Sequence, residues 1–216
     1  MAPVPTAVLI SGRGSNFSAL HAASLAPGYP AAIRLVVSNR ADAGGLALAK
    51  AAGVPTAVVE HRQFGRDREK FEDALEAALQ GAGIELVALA GFMRLLTEKF
   101  VARWHDRLVN IHPSLLPAFP GTDTHARALA AGVRIHGCTV HLVRTEMDCG
   151  PILAQAAVPV HDDDTEATLA ARVLAMEHKI YPRALALLAS GKVRVEGAVA
   201  KLDAPAAEGA LANPVA

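Results

Sequence analysis

Short apolar runs without strict polar alternation recur along the first half of the chain, each followed by a segment with helical spacing. Ala7-Val8-Leu9-Ile10, Ile33 to Val37, Thr56 to Val59, Leu86 to Ala90 and Leu108 to Ile111 predict strands. Phe17 to Leu25, Gly44 to Ala52, Arg66 to Gln80 and Thr97 to Trp104 predict the intervening helices. A strand with no polar alternate is covered on both faces, and such strands joined by helices form a parallel sheet. The predicted fold is therefore α/β, a Rossmann-like, mostly parallel twisted sheet with helices on both faces. Its ligands are expected beyond the carboxyl ends of the strands.

The pattern changes after Pro120. A helix from His125 to Ala131 and strands over Cys138 to Val143 and Ile152 to Val160 predict a hairpin-like, mixed or antiparallel extension. A long helix from Thr165 to Leu188 follows Asp162-Asp163-Asp164, which are expected to cap it and complement its dipole, and Pro182 is expected to kink or break it. With 52% hydrophobic and 19% charged residues in 216, the chain can bury one large core. The reading is a single domain over 1–203 and a frayed tail, rich in Ala, Pro and Gly, over 204–216.

Basic and acidic residues number 21 each and the pI is about 7.1, so no global field gathers nucleic acid or an anionic membrane, although a local basic site is left open. No apolar run approaches the roughly 20 residues of a spanning helix. The start, Met1 to Thr6, lacks the basic and apolar regions of a signal peptide. Two cysteines, Cys138 and Cys149, argue against a disulfide framework and for a reducing cytoplasm. The composition is compatible with a homodimer without specifying one.

Four stretches carry candidate chemistry. Leu108 to Pro117 ends a strand with Asn110 and His112, two apart and so on one side, before prolines that stiffen the exit. Ser11-Gly12-Arg13-Gly14-Ser15-Asn16 lies between a strand and a helix that opens near Phe17. It lacks the third glycine of a dinucleotide fingerprint, and Ser38-Asn39-Arg40 replaces the acidic residue that would hold a ribose diol, so NAD is not expected. The turn suits one phosphate at a helix N-terminus, or is a plain tight turn. Gly91 to Leu96 is either the first turn of a packed helix or an apolar wall for a flat heterocycle. Arg144 to Gly150 is either a solvated turn or a loop whose carboxylate folds back onto His112, orienting it and favouring its charged form. His136, Cys138, His141, Asp148 and Cys149 match no close zinc spacing, so no metal is expected, and Cys138 reads as a small buried side chain.

The chain resembles the phosphoribosylglycinamide formyltransferases. The likeness rests on Ser11-Gly12-x-Gly14-Ser15-Asn16, Ala90 to Leu96, Asn110 to Pro117, His136-Gly137-x-Thr139-Val140-His141 and Asp148-x-Gly150-Pro151-Ile152, in that order. It covers nearly the whole chain, through Leu202. The resemblance implies transfer of a formyl group from 10-formyltetrahydrofolate, the co-substrate, to the amine of glycinamide ribotide in purine synthesis. It implies Asn110, His112 and Asp148 as catalytic residues and Gly12, Gly14, Ser15, Asn16, Phe17 and Glu177 as ribotide contacts. It implies Arg68, Met93, Arg94, Leu95, Leu96, Asn110, Arg144 and Met147 as folate contacts, the N-terminal half holding the ribotide phosphate and the C-terminal half the folate. Small-molecule substrates, with no metal, NAD, nucleic acid or membrane, complete the expectation. Arg13 stands where several relatives carry Asn.

The same trio occurs in methionyl-tRNA formyltransferases and formyltetrahydrofolate deformylases, which are expected to add a C-terminal domain with a basic surface and an N-terminal regulatory domain, respectively. A ribotide-binding protein without catalysis would be expected to have lost the trio. In the implied mechanism Asn110 and His112 stabilise the developing oxyanion and Asp148 supports His112, with no covalent intermediate.

Overall fold

Successive residues of the first strand disappear into different cores. Ala7 and Leu9 join one hydrophobic cluster and Val8 and Ile10 the other, all four at 0% exposure. That is the period-two consequence of a sheet covered on both faces. The computed structural model describes residues 2–205 together with Glu208, Leu211 and Asn213. Most of the expected tail over 204–216 therefore lies outside the described residues; Asn213 donates to Arg134 O at 2.7 Å and Val160 O at 2.8 Å.

Seven strands form the main sheet: β1 (Val4–Ile10), β2 (Ala31–Ser38), β3 (Thr56–Val58), β4 (Leu86–Leu89), β5 (Leu108–His112), β6 (Ile135–Leu142) and β7 (Ile152–Pro159). Their order is β3-β2-β1-β4-β5-β6-β7. The first five run parallel, whereas β6 is antiparallel to β5 and β7 to β6. The strand order reverses between β1 and β4, which in open α/β sheets marks the crevice where ligands bind.

Helices α1 (Ser15–Ser24), α2 (Gly44–Ala51) and α6 (Glu166–Ala189) cover the face of Val8 and Ile10 with Phe17, Leu20, Leu46, Val173 and Leu185. Helices α3 (Arg68–Gly81) and α4 (Glu98–Arg103) cover the other with Phe71, Leu75, Leu79 and Phe100. Buried carboxylates tie α3 to α4. Glu72 accepts from Thr97, and Glu76 accepts from the Trp104 indole at 2.8 Å. A short α5 (Thr124–Ala130) precedes β6.

The α6 helix is not broken at Pro182: the ring removes one N–H, but Ile180, Tyr181, Ala184 and Leu185 are buried around it, and packing holds the segment helical. Its cap is Thr165, in a reciprocal box with Thr168, and not the aspartates. Asp164 instead takes the Arg172 guanidinium at 2.7 and 2.8 Å. A 3-10 turn over His61–Phe64 and an antiparallel pair, β8 (Val193–Glu196) with β9 (Val199–Leu202), were not predicted.

The fully buried Tyr181 hydroxyl faces Leu89 O at 2.9 Å and Val109 O at 3.1 Å, so α6 is anchored across the ends of β4 and β5. Tyr181→Phe leaves buried carbonyls without that donor. It is expected to cost about 1–3 kcal/mol, measured as a lower urea midpoint at unchanged slope.

Candidate active site

On β5, Val109 and Ile111 enter the core under α6, so Asn110 and His112 necessarily face the opposite side, toward the carboxyl edge of the sheet. The antiparallel register then sets Asn110 across from His141 and His112 across from Thr139. Asn110 Nδ2 lies 3.2 Å from His141 Nε2, and His141 Nδ1 lies 3.0 Å from Leu142 O. Thr139 fixes the chain leaving the strand. Its hydroxyl donates to Ser114 O at 2.7 Å and accepts from Leu116 N at 3.0 Å, just before the cis Leu116–Pro117 bond.

His112 is 5% exposed, with both ring nitrogens engaged by loops. Nε2 contacts Phe119 O at 3.0 Å; a carbonyl can only accept, so Nε2 carries the proton in this arrangement. Nδ1 faces Asp148 Oδ2 at 3.5 Å, and that oxygen also accepts from Gly121 N at 2.8 Å. Asp148 Oδ1 stands 3.7 Å from His141 Nε2. Phe119 and Asp148 both hold left-handed φ values, 53° and 57°, a conformation unusual away from glycine and concentrated where structure over-determines it. The loop from Arg144 to Gly150 therefore carries a carboxylate into contact with the imidazole.

The glycine turn closes against α2. Gly14, at φ 80°, is the N-cap of α1, and a Cβ on it would come 2.5 Å from Gly45 Cα; Gly45 N donates to Gly12 O at 3.0 Å. The free N–H groups of Ser15, Asn16 and Phe17 open there. Phe17 contributes main chain alone, because its side chain is in the core at 1% exposure. Asn16 Nδ2 donates to Glu177 Oε2 at 2.7 Å, and Asn16 Oδ1 is buried without a partner. Burial raises the Glu177 carboxyl above its ordinary value, opposed by the Asn16 hydrogen bond and the charge of His112. The turn, α6 and the end of β5 thus converge.

Ser11, missed as a site residue, joins the turn to the apolar loop. Its hydroxyl donates to Asn39 Oδ1 at 2.6 Å and accepts from Met93 N at 2.8 Å, while Ser11 N donates to Gly91 O at 3.1 Å. Residues 91–96 form an irregular loop and not a helical turn, with Met93 and Leu95 at 68% and 58% exposure. Beside it opens a cavity of about 300 Å³ lined by Gly12, Arg40, His61, Arg62, Met93 and Arg94. The Arg94 Nε is buried without a partner. Leu96 packs on the α3–α4 core and Arg68 is exposed at the start of α3. Met147 is exposed beside Gly121. The Arg144 guanidinium lies on Asp106 at 2.5 Å and on Val143 O at 3.0 Å. Among the described residues, no group of three or more His, Cys, Asp or Glu is placed to hold a metal ion, and no helix is long and apolar enough to cross a membrane.

A doubly wound sheet that brings a glycine turn, an Asn–His pair and a facing carboxylate to one carboxyl edge defines an enzyme acting on small molecules. Residues 5–185 match the formyl transferase family, and the chain belongs to it. It is 42% identical over 200 residues to phosphoribosylglycinamide formyltransferase of Haemophilus influenzae, covering 93% of this chain and 94% of that one. It is 50% identical over 192 residues to the trifunctional purine biosynthetic protein adenosine-3 of Gallus gallus, of whose length it spans 19%. The crystal structure of glycinamide ribonucleotide transformylase 1 from Symbiobacterium toebii superposes with a TM-score of 0.90 at 43% identity, covering 93% and 94% of the two chains.

Behind His112, His136 packs edge-on against Phe119 and His125, with ring centroids 5.9 and 5.3 Å away. Burial, and secondarily the charge of His125, lowers the His136 imidazole to about 4. The unfolded chain holds this proton up to the ordinary value near 6.5, so protonation favours unfolding. Stability is expected to be complete above pH 6.5 and to fall as the pH drops toward 4. His136→Phe should make urea midpoints fall less steeply across that window; an unchanged slope would contradict the assignment.

Proposed function

We propose that this enzyme transfers the formyl group of 10-formyltetrahydrofolate to the amine of 5-phosphoribosylglycinamide, giving the formylated ribotide and tetrahydrofolate. The observation that carries the proposal is the Asn110–His112–Asp148 cluster at the carboxyl edge of the sheet, where the glycine turn is hydrogen-bonded through Ser11 to the apolar loop. The phosphate would lie on the N–H groups of Ser15, Asn16 and Phe17, where the dipole of α1 favours an anion. Glu177 and the unpartnered Asn16 Oδ1 offer acceptors to ribotide hydroxyls or amine. Met93, Leu95 and Met147 supply exposed apolar surface for the pterin, and the glutamyl carboxylates of the folate suit the guanidinium groups of Arg94 and Arg62.

In the reaction the amine nitrogen bonds to the formyl carbon, the bond from that carbon to N10 breaks, and one proton passes from the attacking nitrogen to N10. Negative charge grows on the formyl oxygen between these events. The Asn110 amide and the His112 imidazolium would donate to it, such donors being worth about 3 kcal/mol each. His112 spends its Nε2 proton on Phe119 O in the free protein, so donation requires that bond to be exchanged for one to substrate. Asp148 faces the other ring nitrogen and would hold the ring in line.

Purified protein is expected to release tetrahydrofolate only when both the ribotide and the formyl-folate are present. Formylation of methionyl-tRNA but not the ribotide, or release of formate without the ribotide, would overturn the substrate assignment. His112→Ala should lose most turnover while remaining folded. Asp148→Asn should lower kcat by about 10- to 1,000-fold with little change in ribotide affinity; a selective loss of ribotide affinity would place Asp148 in another role.

A further inference from the structure

The orientation of the Asn110 amide is decided by a residue that carries no assigned role. We infer that His141 is a positioning residue for formyl transfer: as a neutral imidazole protonated on Nδ1, it accepts a hydrogen bond from Asn110 and leaves the second amide N–H free for the formyl oxygen. The role rests on the formyl-transfer reading above.

His141 Nδ1 lies 3.0 Å from Leu142 O, which can only accept, so the proton is on Nδ1. In a neutral ring the other nitrogen is then an acceptor. The atom 3.2 Å from His141 Nε2 must accordingly be the donating Asn110 Nδ2, because the flipped amide would set Oδ1 against a lone pair. Two N–H bonds leave Nδ2, and His141 takes one. The ring is itself immobilised, 2% exposed on β6 directly across the antiparallel pair from Asn110. The titratable groups facing it are Asp148, whose Oδ1 is 3.7 Å from Nε2, and His112 on β5. Burial is the largest influence and lowers the imidazole below its ordinary value, so the neutral form prevails at neutral pH. A protonated ring would do the reverse. Its Nε2–H would meet the amide donor head on, turn Asn110 over and draw the Asp148 carboxylate away from His112.

The arrangement predicts a dependence that passes through Asn110. His141→Phe, which keeps the ring and removes the acceptor, is expected to lower kcat by about 10- to 100-fold while both KM values stay within about 3-fold. His141→Gln, whose side-chain oxygen accepts, should recover most of the loss and serves also if the phenylalanine variant folds poorly. In an Asn110→Ala background, His141→Phe should cost less than about 2-fold more, the non-additivity of two groups acting as one. Full additivity, failure of glutamine to rescue a folded variant, or a loss carried by KM would each overturn the role while leaving wild-type transfer intact. Absence of transfer by the wild-type protein would overturn the function and this role with it.

Discussion

The pairing of β5 with β6 is the constraint on which the site depends. It turns a parallel sheet antiparallel at one point, and the register it adopts places Asn110 opposite His141 and His112 opposite Thr139. A slip of one residue would send Asn110 and His112 to the face covered by α6, where Val109 and Ile111 now lie. Burial prevents that slip, because Val140 and Leu142 of β6 occupy the same core with no exposure. The chemistry at the edge is thus held in place by apolar residues buried in the core.

Around that pair hydrogen bonds join the loops that line the carboxyl edge. Ser11 binds the glycine turn to the apolar loop, Gly121 N holds the Asp148 carboxylate, and Phe119 O holds the His112 imidazole. Loops anchored by a few polar contacts can exchange them for contacts to ligands at low cost, whereas the sheet below cannot rearrange without exposing its core. The result is a rigid Asn–His edge surrounded by adjustable walls.

What the sequence made legible follows from how local each feature is. The parallel strands and their helices were readable because continuous apolar runs report two-sided burial, and the shared side of Asn110 and His112 follows from a spacing of two. Thr165 was overlooked because the three aspartates before it looked like stronger caps, although Asp164 is drawn to Arg172. The β8–β9 pair is largely exposed and its runs are too short to stand out from a polar tail. The proximity of Asp148 to His112 could not be derived from spacing, since a left-handed turn 36 positions on delivers it from a stretch whose charge and Gly-Pro content also fit a solvated turn. His141 was read as part of a weak metal pattern, and its contact with Asn110 appears only once the strand register is known. Arg144, expected near the folate, is engaged by Asp106 through a pairing that no local pattern announces.

The most direct test is a crystal structure of the protein with the ribotide and a folate analogue bearing a non-transferable group at N10. The account predicts the phosphate on the N–H groups of Ser15 and Asn16, and the oxygen that mimics the formyl oxygen about 2.7–3.1 Å from Asn110 Nδ2. It also predicts that oxygen in hydrogen-bond reach of a His112 imidazole released from Phe119 O. An analogue whose reactive group lies beyond reach of both Asn110 and His112, or a phosphate seated away from the glycine turn, would contradict it.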